Sequence, residues 1–338
     1  ISGRSGALRM RDEEGDHIVT AYAPVPGTPW GLVTEEEWGA LTADTRRYGQ
    51  ILLVLLGLGM VLPALGVSLM VRQRNREALA SERIEQELQV ARIIQKTLLP
   101  KDIPQHPGWE IAVLWQPARA VSGDFYDFII FPENRLAFVI ADVTDKGVPA
   151  GLVMASARSI MRGVSERLRS PAEILERTNN LLTNDIPHNM FVTALYAELD
   201  LDTGALWYAN AGQNLPYRKC NGQVTQLEAT GLPLGLIPNI EYDEFETVIQ
   251  PGEMLLLFSD GLVEAHNSRQ EMFGNRRLAG LLKEQPNEHM TAAELIEVVA
   301  ASLQTFTSAD WEQEDDVTLV AMRRLPPAGV ETNDGERR

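Results

Sequence analysis

Hydrophobic and polar positions follow several different patterns along this chain, and each predicts a different kind of element. From Ile51 to Val71 the run ILLVLLGLGMVLPALGVSLMV carries no charge over 21 residues. At about 1.5 Å per residue a helix of that length covers a bilayer core of roughly 30 Å. A helix buried in a soluble core is seldom apolar on every face, and the run lies too far along for a signal peptide. It predicts a transmembrane helix, in which Pro63 is tolerated and Gly57, Gly59 and Gly66 serve packing. Upstream, Ile18 to Val25 and Trp30 to Thr34 read as strands around a Pro26-Gly27-Thr28-Pro29 turn. Two strands bury no core of their own. Glu35-Glu36-Glu37 is expected to open the helix that enters the membrane, with acids suited to its N-terminal dipole. Downstream, residues 72–99 predict a helix whose Ile84, Leu88, Ala91, Ile94 and Leu98 form an apolar stripe, stopped by Pro100. That stripe has two readings, docking on the chain's own following domain or a parallel coiled coil between two copies.

From Trp109 onward strands and helices alternate. Strands are expected at 109–117, 125–131, 136–143, 191–200, 205–211, 215–219, 242–248, 254–259 and 318–323. Helices are expected at 149–165, 171–184, 276–283 and 291–308. Asp200-Leu201-Asp202-Thr203-Gly204 reads as a hairpin turn. Many antiparallel strands with two pairs of helices predict an α+β fold of packed sheets covered by helices. The chain thus divides into 1–50, a span at 51–71, a helical linker at 72–100, a domain at 101–325 and a polar tail at 326–338, expected to be disordered. Its start at Ile1 reads as a fragment or processed product.

Charge adds orientation and excludes a partner. Arg72, Arg74, Arg76 and Arg83 follow the span, against Arg46 and Arg47 before it, so the C-terminal side is expected in the cytoplasm. The 338 residues carry a net charge of −17, unevenly spread. Residues 1–100 hold 11 Lys+Arg and 12 Asp+Glu, and residues 101–338 hold 19 against 35, a net of −16. So acidic a domain repels a phosphate backbone, which excludes nucleic acid as the expected partner. One cysteine, Cys220, excludes an internal disulfide framework and Cys-rich metal sites.

The acids become informative where they abut strands that must be buried. Asp124 and Asp127 stand in SGDFYD, Asp142 and Asp145 in ADVTDKG, Asp260 after MLLLFS, and Asp315 and Asp316 before VTLV. A carboxylate at such an edge is costly unless a cation or a set of donors compensates it. Several converging at one sheet end would make an oxygen-ligand site for Mg2+ or Mn2+. The five histidines have no zinc spacing, and no phosphate-binding Gly-rich loop with Lys-Ser or Lys-Thr follows a strand.

The order SGDFYD, ADVTDKGVPAGLVMA, NMFVTALYAELD, NAGQNLPY, GLPLGL, LFSDGLVEA and EDDVTLV, introduced by ARIIQKTLLP, resembles the SpoIIE/RsbU-type serine phosphatases of the metal-dependent, PP2C-like superfamily over residues 91–324. The resemblance implies a four-layer α-β-β-α sandwich with two Mn2+ or Mg2+ ions at one end of the sheets, where water rather than a protein nucleophile attacks phosphorus. By motif, Asp124, Asp142, Asp260 and Asp315 would be ligands, with the Val143 carbonyl completing one site. Asp127 reads as a structural hydrogen-bonding residue. Arg119 is a candidate phosphate-binding residue, equally readable as an exposed loop arginine. Two positions depart from the pattern, Ser122 where glycine is usual and Asp145 where glycine is frequent. The family further implies a phosphorylated STAS-type anti-sigma-factor antagonist as substrate in a partner-switching pathway. The segment APVPGTPWGLV resembles the end of an extracytoplasmic Cache-type sensor. Together these imply a homodimeric receptor phosphatase in a bacterial cytoplasmic membrane. The rival readings are a non-catalytic module that binds its partner through a phosphatase fold, and a metal-dependent cyclase or nuclease, which fits the carboxylates less specifically.

Overall fold

A computed structural model describes residues 4–220, 222–285, 290–307 and 313–326. The expected tail falls almost wholly outside the described residues, as does Ser308, where a helix was expected to end. The chain forms two compact units, Ile1–Arg83 and Ile84–Arg338.

In the first unit β1 (Gly6–Arg11), β2 (His17–Pro24) and β3 (Gly31–Glu37) form an antiparallel meander. β1 was not expected. Glu35, Glu36 and Glu37 are a correction: they pair with Thr20, Val19 and Ile18 as the end of β3, so the ladder claims their backbone before a helix can. The helix α1 then runs unbroken from Trp38 to Leu98, with Pro63 inside it. The expected span and the linker helix that continues from it are one element. Every residue from Ile51 to Val71 is exposed. Among the described residues α1 is the one helix long and apolar enough to cross a membrane.

The last turns of α1 belong to the second unit, and they divide the stripe. Leu88, Ala91 and Leu98 are half-buried, whereas Ile84 and Ile94 are exposed; the buried positions on that face are Gln95 and Leu99. At 100° per residue, positions 88, 91, 95, 98 and 99 share one side of the helix and Ile94 lies at its margin.

The second unit contains β4 (Trp109–Gln116), β5 (Phe125–Phe131), β6 (Arg135–Val143), α2 (Val148–Ser165), α3 (Pro171–Asp185), β7 (Val192–Asp200), β8 (Ala205–Ala211), β9 (Tyr217–Cys220), β10 (Gln223–Gln226), β11 (Phe245–Val248), β12 (Met254–Phe258), a single turn α4 (Asp260–Val263), α5 (Gly274–Glu284), α6 (Ala292–Thr307) and β13 (Val317–Arg324). β10 and α4 were not expected, and β9 and β11 are shorter than expected. Two antiparallel five-stranded sheets result, ordered β11-β8-β7-β6-β5 and β10-β9-β12-β13-β4.

The layers follow from side-chain alternation. Along β6, Ala137, Val139, Ala141 and Val143 face the core shared with α2 and α3, while Leu136, Phe138 and Ile140 face the core between the sheets. Along β12, Met254, Leu256 and Phe258 face α5 and α6, while Leu255 and Leu257 face the inter-sheet core. Strands buried on both faces read as unbroken apolar runs, and a run that ends in an acid therefore ends at the sheet edge. The architecture is the α-β-β-α sandwich. Thr291 and Glu294 cap α6 reciprocally, and Ser170 caps α3 ahead of Pro171.

Candidate metal centre

The acids gather where both sheets end. Asp124 precedes β5, Asp142 lies one residue from the end of β6, Asp260 opens α4 just after β12, and Asp315-Asp316 precede β13. A hydrogen bond joins the sheets here: Thr318 Oγ1 donates to Asp124 Oδ2 at 2.5 Å.

Asp124 is 1% exposed, and its Oδ1 is buried with no hydrogen-bond partner among the described residues. Burial, then the neighbouring Asp142 charge, pushes its carboxyl well above the usual range. Asp142 is pushed up to about 8 by burial and then by Asp260. Asp260 is pushed up to about 6 by burial and then by Asp315. Asp315 Oδ2 lies 3.1 Å from Lys146 Nζ. Among the described residues no three acids close on a single point. They form a chain of neighbours, Asp124 to Asp142 to Asp260 to Asp315.

The donor set nonetheless fits divalent cations that prefer oxygen. Gly123 supports the fit. A Cβ there would stand 2.7 Å from the Val143 carbonyl oxygen and 3.1 Å from Asp142 Oδ1, so only glycine leaves those oxygens clear. At Gly261 a Cβ would collide with the Asp316 carbonyl oxygen. His266 pairs with Glu314 and not with these acids.

Sequence reasoning missed the scaffold around the acids. Asp316 is 6% exposed and faces the other way, accepting from Ala118 N at 2.7 Å, Ser122 Oγ at 2.7 Å and Gly123 N at 2.8 Å. It thereby fixes the loop that delivers Asp124. Ser122 uses the hydroxyl a glycine would lack, and Asp145 adopts the left-handed φ of 76° that explains the preference for glycine there. Gln95 grips the same loop: its Nε2 donates to Ser122 O at 2.6 Å and its Oε1 accepts from Ser122 N at 3.0 Å. A glutamine in register with Ala91 and Leu98 was the available signal. Asp127 lies apart from the acids, paired with Arg162 at 2.5 Å and Arg158 at 3.1 Å. Arg119 is exposed, and among the described residues it forms no ion pair.

Residues 132–325, more than half of the chain, match the family model described as Stage II sporulation protein E (SpoIIE). The chain belongs to the SpoIIE/RsbU family of PP2C-type protein serine/threonine phosphatases. It is 31% identical over 247 residues to phosphoserine phosphatase RsbU of Bacillus subtilis, covering 72% of this chain and 71% of that protein. It is 26% identical to phosphoserine phosphatase RsbP of the same organism, covering 70% of this chain and 57% of that one. The SiaA-PP2C domain of Pseudomonas aeruginosa superposes with a TM-score of 0.62 at 25% identity, over 72% of this chain and 98% of that domain. The sandwich is therefore the family's PP2C fold, and the phosphatases of this fold are metal-dependent.

Proposed function

We propose that this member of the family is a membrane-anchored, metal-dependent phosphatase that removes phosphate from serine or threonine of a STAS-type anti-sigma-factor antagonist under control of an extracytoplasmic sensor. One observation carries the chemistry: Asp124 buries a carboxylate oxygen that no donor among the described residues satisfies, among acids that raise one another's pKa. A buried carboxylate in that state is stabilised by a cation.

Asp124, Asp142, Asp260, Asp315 and the Val143 carbonyl are the residues proposed to hold two Mn2+ or Mg2+ ions. Divalent cations in such a site supply Lewis acidity towards a phosphoryl group and ionised water at neutral pH. The chain's own part is to hold the oxygens in place. Thr318 orients Asp124, Asp316 fixes the Ala118–Gly123 loop, and Gly123 keeps the approach to Val143 open. This preorganisation is what an in-line phosphoryl transfer demands of a protein.

The anchoring rests on the exposed apolar span and on the Arg-rich segment after it, which would place the phosphatase in the cytoplasm and β1–β3 outside. RsbU and RsbP are named as phosphoserine phosphatases, which supports a phosphoseryl protein as substrate. Control through the linker is supported by Gln95, the buried polar residue of α1, bonded at both ends of its amide to the loop before Asp124. The exposed Ile84, Val90, Ile93 and Ile94 support self-association along that helix.

The full chain in detergent micelles should release phosphate from a phosphoserine STAS protein and from an aryl phosphate with Mn2+ or Mg2+, and lose that activity on chelation. Absence of turnover at any metal concentration would leave a module that only binds its partner. Turnover of the aryl phosphate alone would sink the STAS assignment.

A further inference from the structure

Four ligand carboxylates carry four negative charges, and two divalent cations would cancel them. A phosphorylated serine brings close to two more. The site therefore needs a cation of its own for the substrate. Among the described residues Arg119 forms no ion pair with these acids, whereas Lys146 pairs with Asp315. Its Nζ lies 3.1 Å from Asp315 Oδ2 and donates to the Glu314 carbonyl at 2.5 Å. Its charge also favours the ionised form of Asp260. The side chain is 32% exposed, at the face open to solvent. Left-handed backbone at Asp145 and at Gly147, with φ of 76° and 81°, brackets it in the turn between β6 and α2. Among the described residues no other Lys or Arg pairs with Asp124, Asp142, Asp260 or Asp315. An ammonium on a four-carbon stem has three donors and the freedom to change partners without moving the backbone.

We propose that Lys146 is the phosphate-binding cation of this site: it neutralises Asp315 in the ion-free protein and donates to a phosphoryl oxygen of the substrate. The proposal rests on the phosphatase reading above. It makes two effects of one residue run in opposite directions. Removing the amine frees a ligand carboxylate, which tightens metal binding, and removes a donor to phosphate, which weakens anion binding. A residue that merely braced the turn would weaken both.

The test uses the full chain in detergent micelles as wild type, Lys146→Met and Lys146→Arg. Mn2+ is titrated calorimetrically into each metal-free protein, and inorganic phosphate into each Mn2+-loaded one. Lys146→Met should bind Mn2+ about threefold more tightly, the scale of a half-exposed ion pair. It should bind phosphate about tenfold more weakly, the scale of a charge-assisted hydrogen bond. Lys146→Arg should keep most of the phosphate affinity. Unchanged phosphate binding in Lys146→Met overturns the proposal, and unchanged or weakened Mn2+ binding overturns the pairing with Asp315. Turnover of an aryl phosphate by the wild type is followed alongside. A wild type without turnover counts against the phosphatase reading, whereas an active wild type matched by Lys146→Met in both titrations counts against this inference alone.

Discussion

Asp124 and Asp127 stand three residues apart at the start of one strand, and both are 1% exposed. Asp127 meets Arg158 and Arg162, and one of its oxygens also accepts from Phe128 N. Asp124 meets a hydroxyl on one oxygen, no hydrogen-bond partner among the described residues on the other, and a second carboxylate nearby. Burial alone therefore does not separate a structural acid from a functional one. The compensating charge does: where the protein supplies it the acid holds the fold together, and where it is withheld the acid suits a cation, the role proposed above for Asp124.

The widest separation between the two kinds of acid is expected in catalysis. Asp142→Asn and Asp260→Asn should each lower turnover at saturating Mn2+ by at least about a hundredfold, since partners one shell further out already cost 10–100-fold in metal sites. Both should keep the fold, read by circular dichroism. Turnover close to wild type in either variant would remove that residue from the ligand set.

Stability should separate them with opposite sign. Asp127→Asn leaves Arg158 and Arg162 without their counter-charge. Breaking a buried pair costs about 3–5 kcal/mol, and about 2–4 is expected here because Arg162 is 42% exposed. Asp142→Asn removes a like charge from the cluster and should stabilise the metal-free protein. Chemical denaturation of both variants in chelator measures this, and a destabilised Asp142→Asn would contradict the account of repulsion.

Burial, with that repulsion added, predicts a pH dependence. It pushes Asp142 up to about 8 and Asp260 up to about 6 in the folded chain, above the usual carboxylate range near 4. Between those limits the folded state holds protons that the unfolded state has released, so stability falls as pH rises. Metal-free protein should lose stability steadily from about pH 4 to about pH 8, and excess Mn2+ should flatten the slope. A flat profile without metal would mean that these acids are compensated after all.

How much of this was legible beforehand differs between residues for physical reasons. Asp142 and Asp260 stand out because each closely follows an apolar run, and Asp124 and Asp315 because each stands at or just before the start of a strand that must be buried. The second layer was hidden. Asp316 looks like its neighbour Asp315 in the sequence, and only the approach of Ala118, Ser122 and Gly123 from almost 200 positions earlier assigns it to the loop. Thr318 is an ordinary β-former until its hydroxyl is seen to reach Asp124. Lys146 resembles a solvated turn residue because its partner Asp315 is also remote in sequence. Glu35–Glu37 suit the start of a helix locally, and pairing with β2 overrides that preference.

The linker shows the same limit at smaller scale. Periodicity joined Leu88 and Ile94 into one stripe, yet Leu88 is half-buried with Ala91 and Leu98, beside the buried Gln95, while Ile94 is exposed with Val90 and Ile93. A six-residue separation is 600° along a helix, which leaves the two side chains about 120° apart, so spacing alone could not assign both to one partner. The two positions should therefore respond differently. Leu88→Asp places a charge against the phosphatase domain and should lower its stability by about 1–2 kcal/mol, with turnover following because Gln95 grips the Asp124 loop two turns on. Ile94→Asp should leave domain stability within about 0.5 kcal/mol of wild type and act on self-association instead. Sedimentation, denaturation and turnover measured on each single variant distinguish the faces. If Ile94→Asp unfolds the domain, or Leu88→Asp changes only the mass, the division of the helix into an inward and an outward face is wrong.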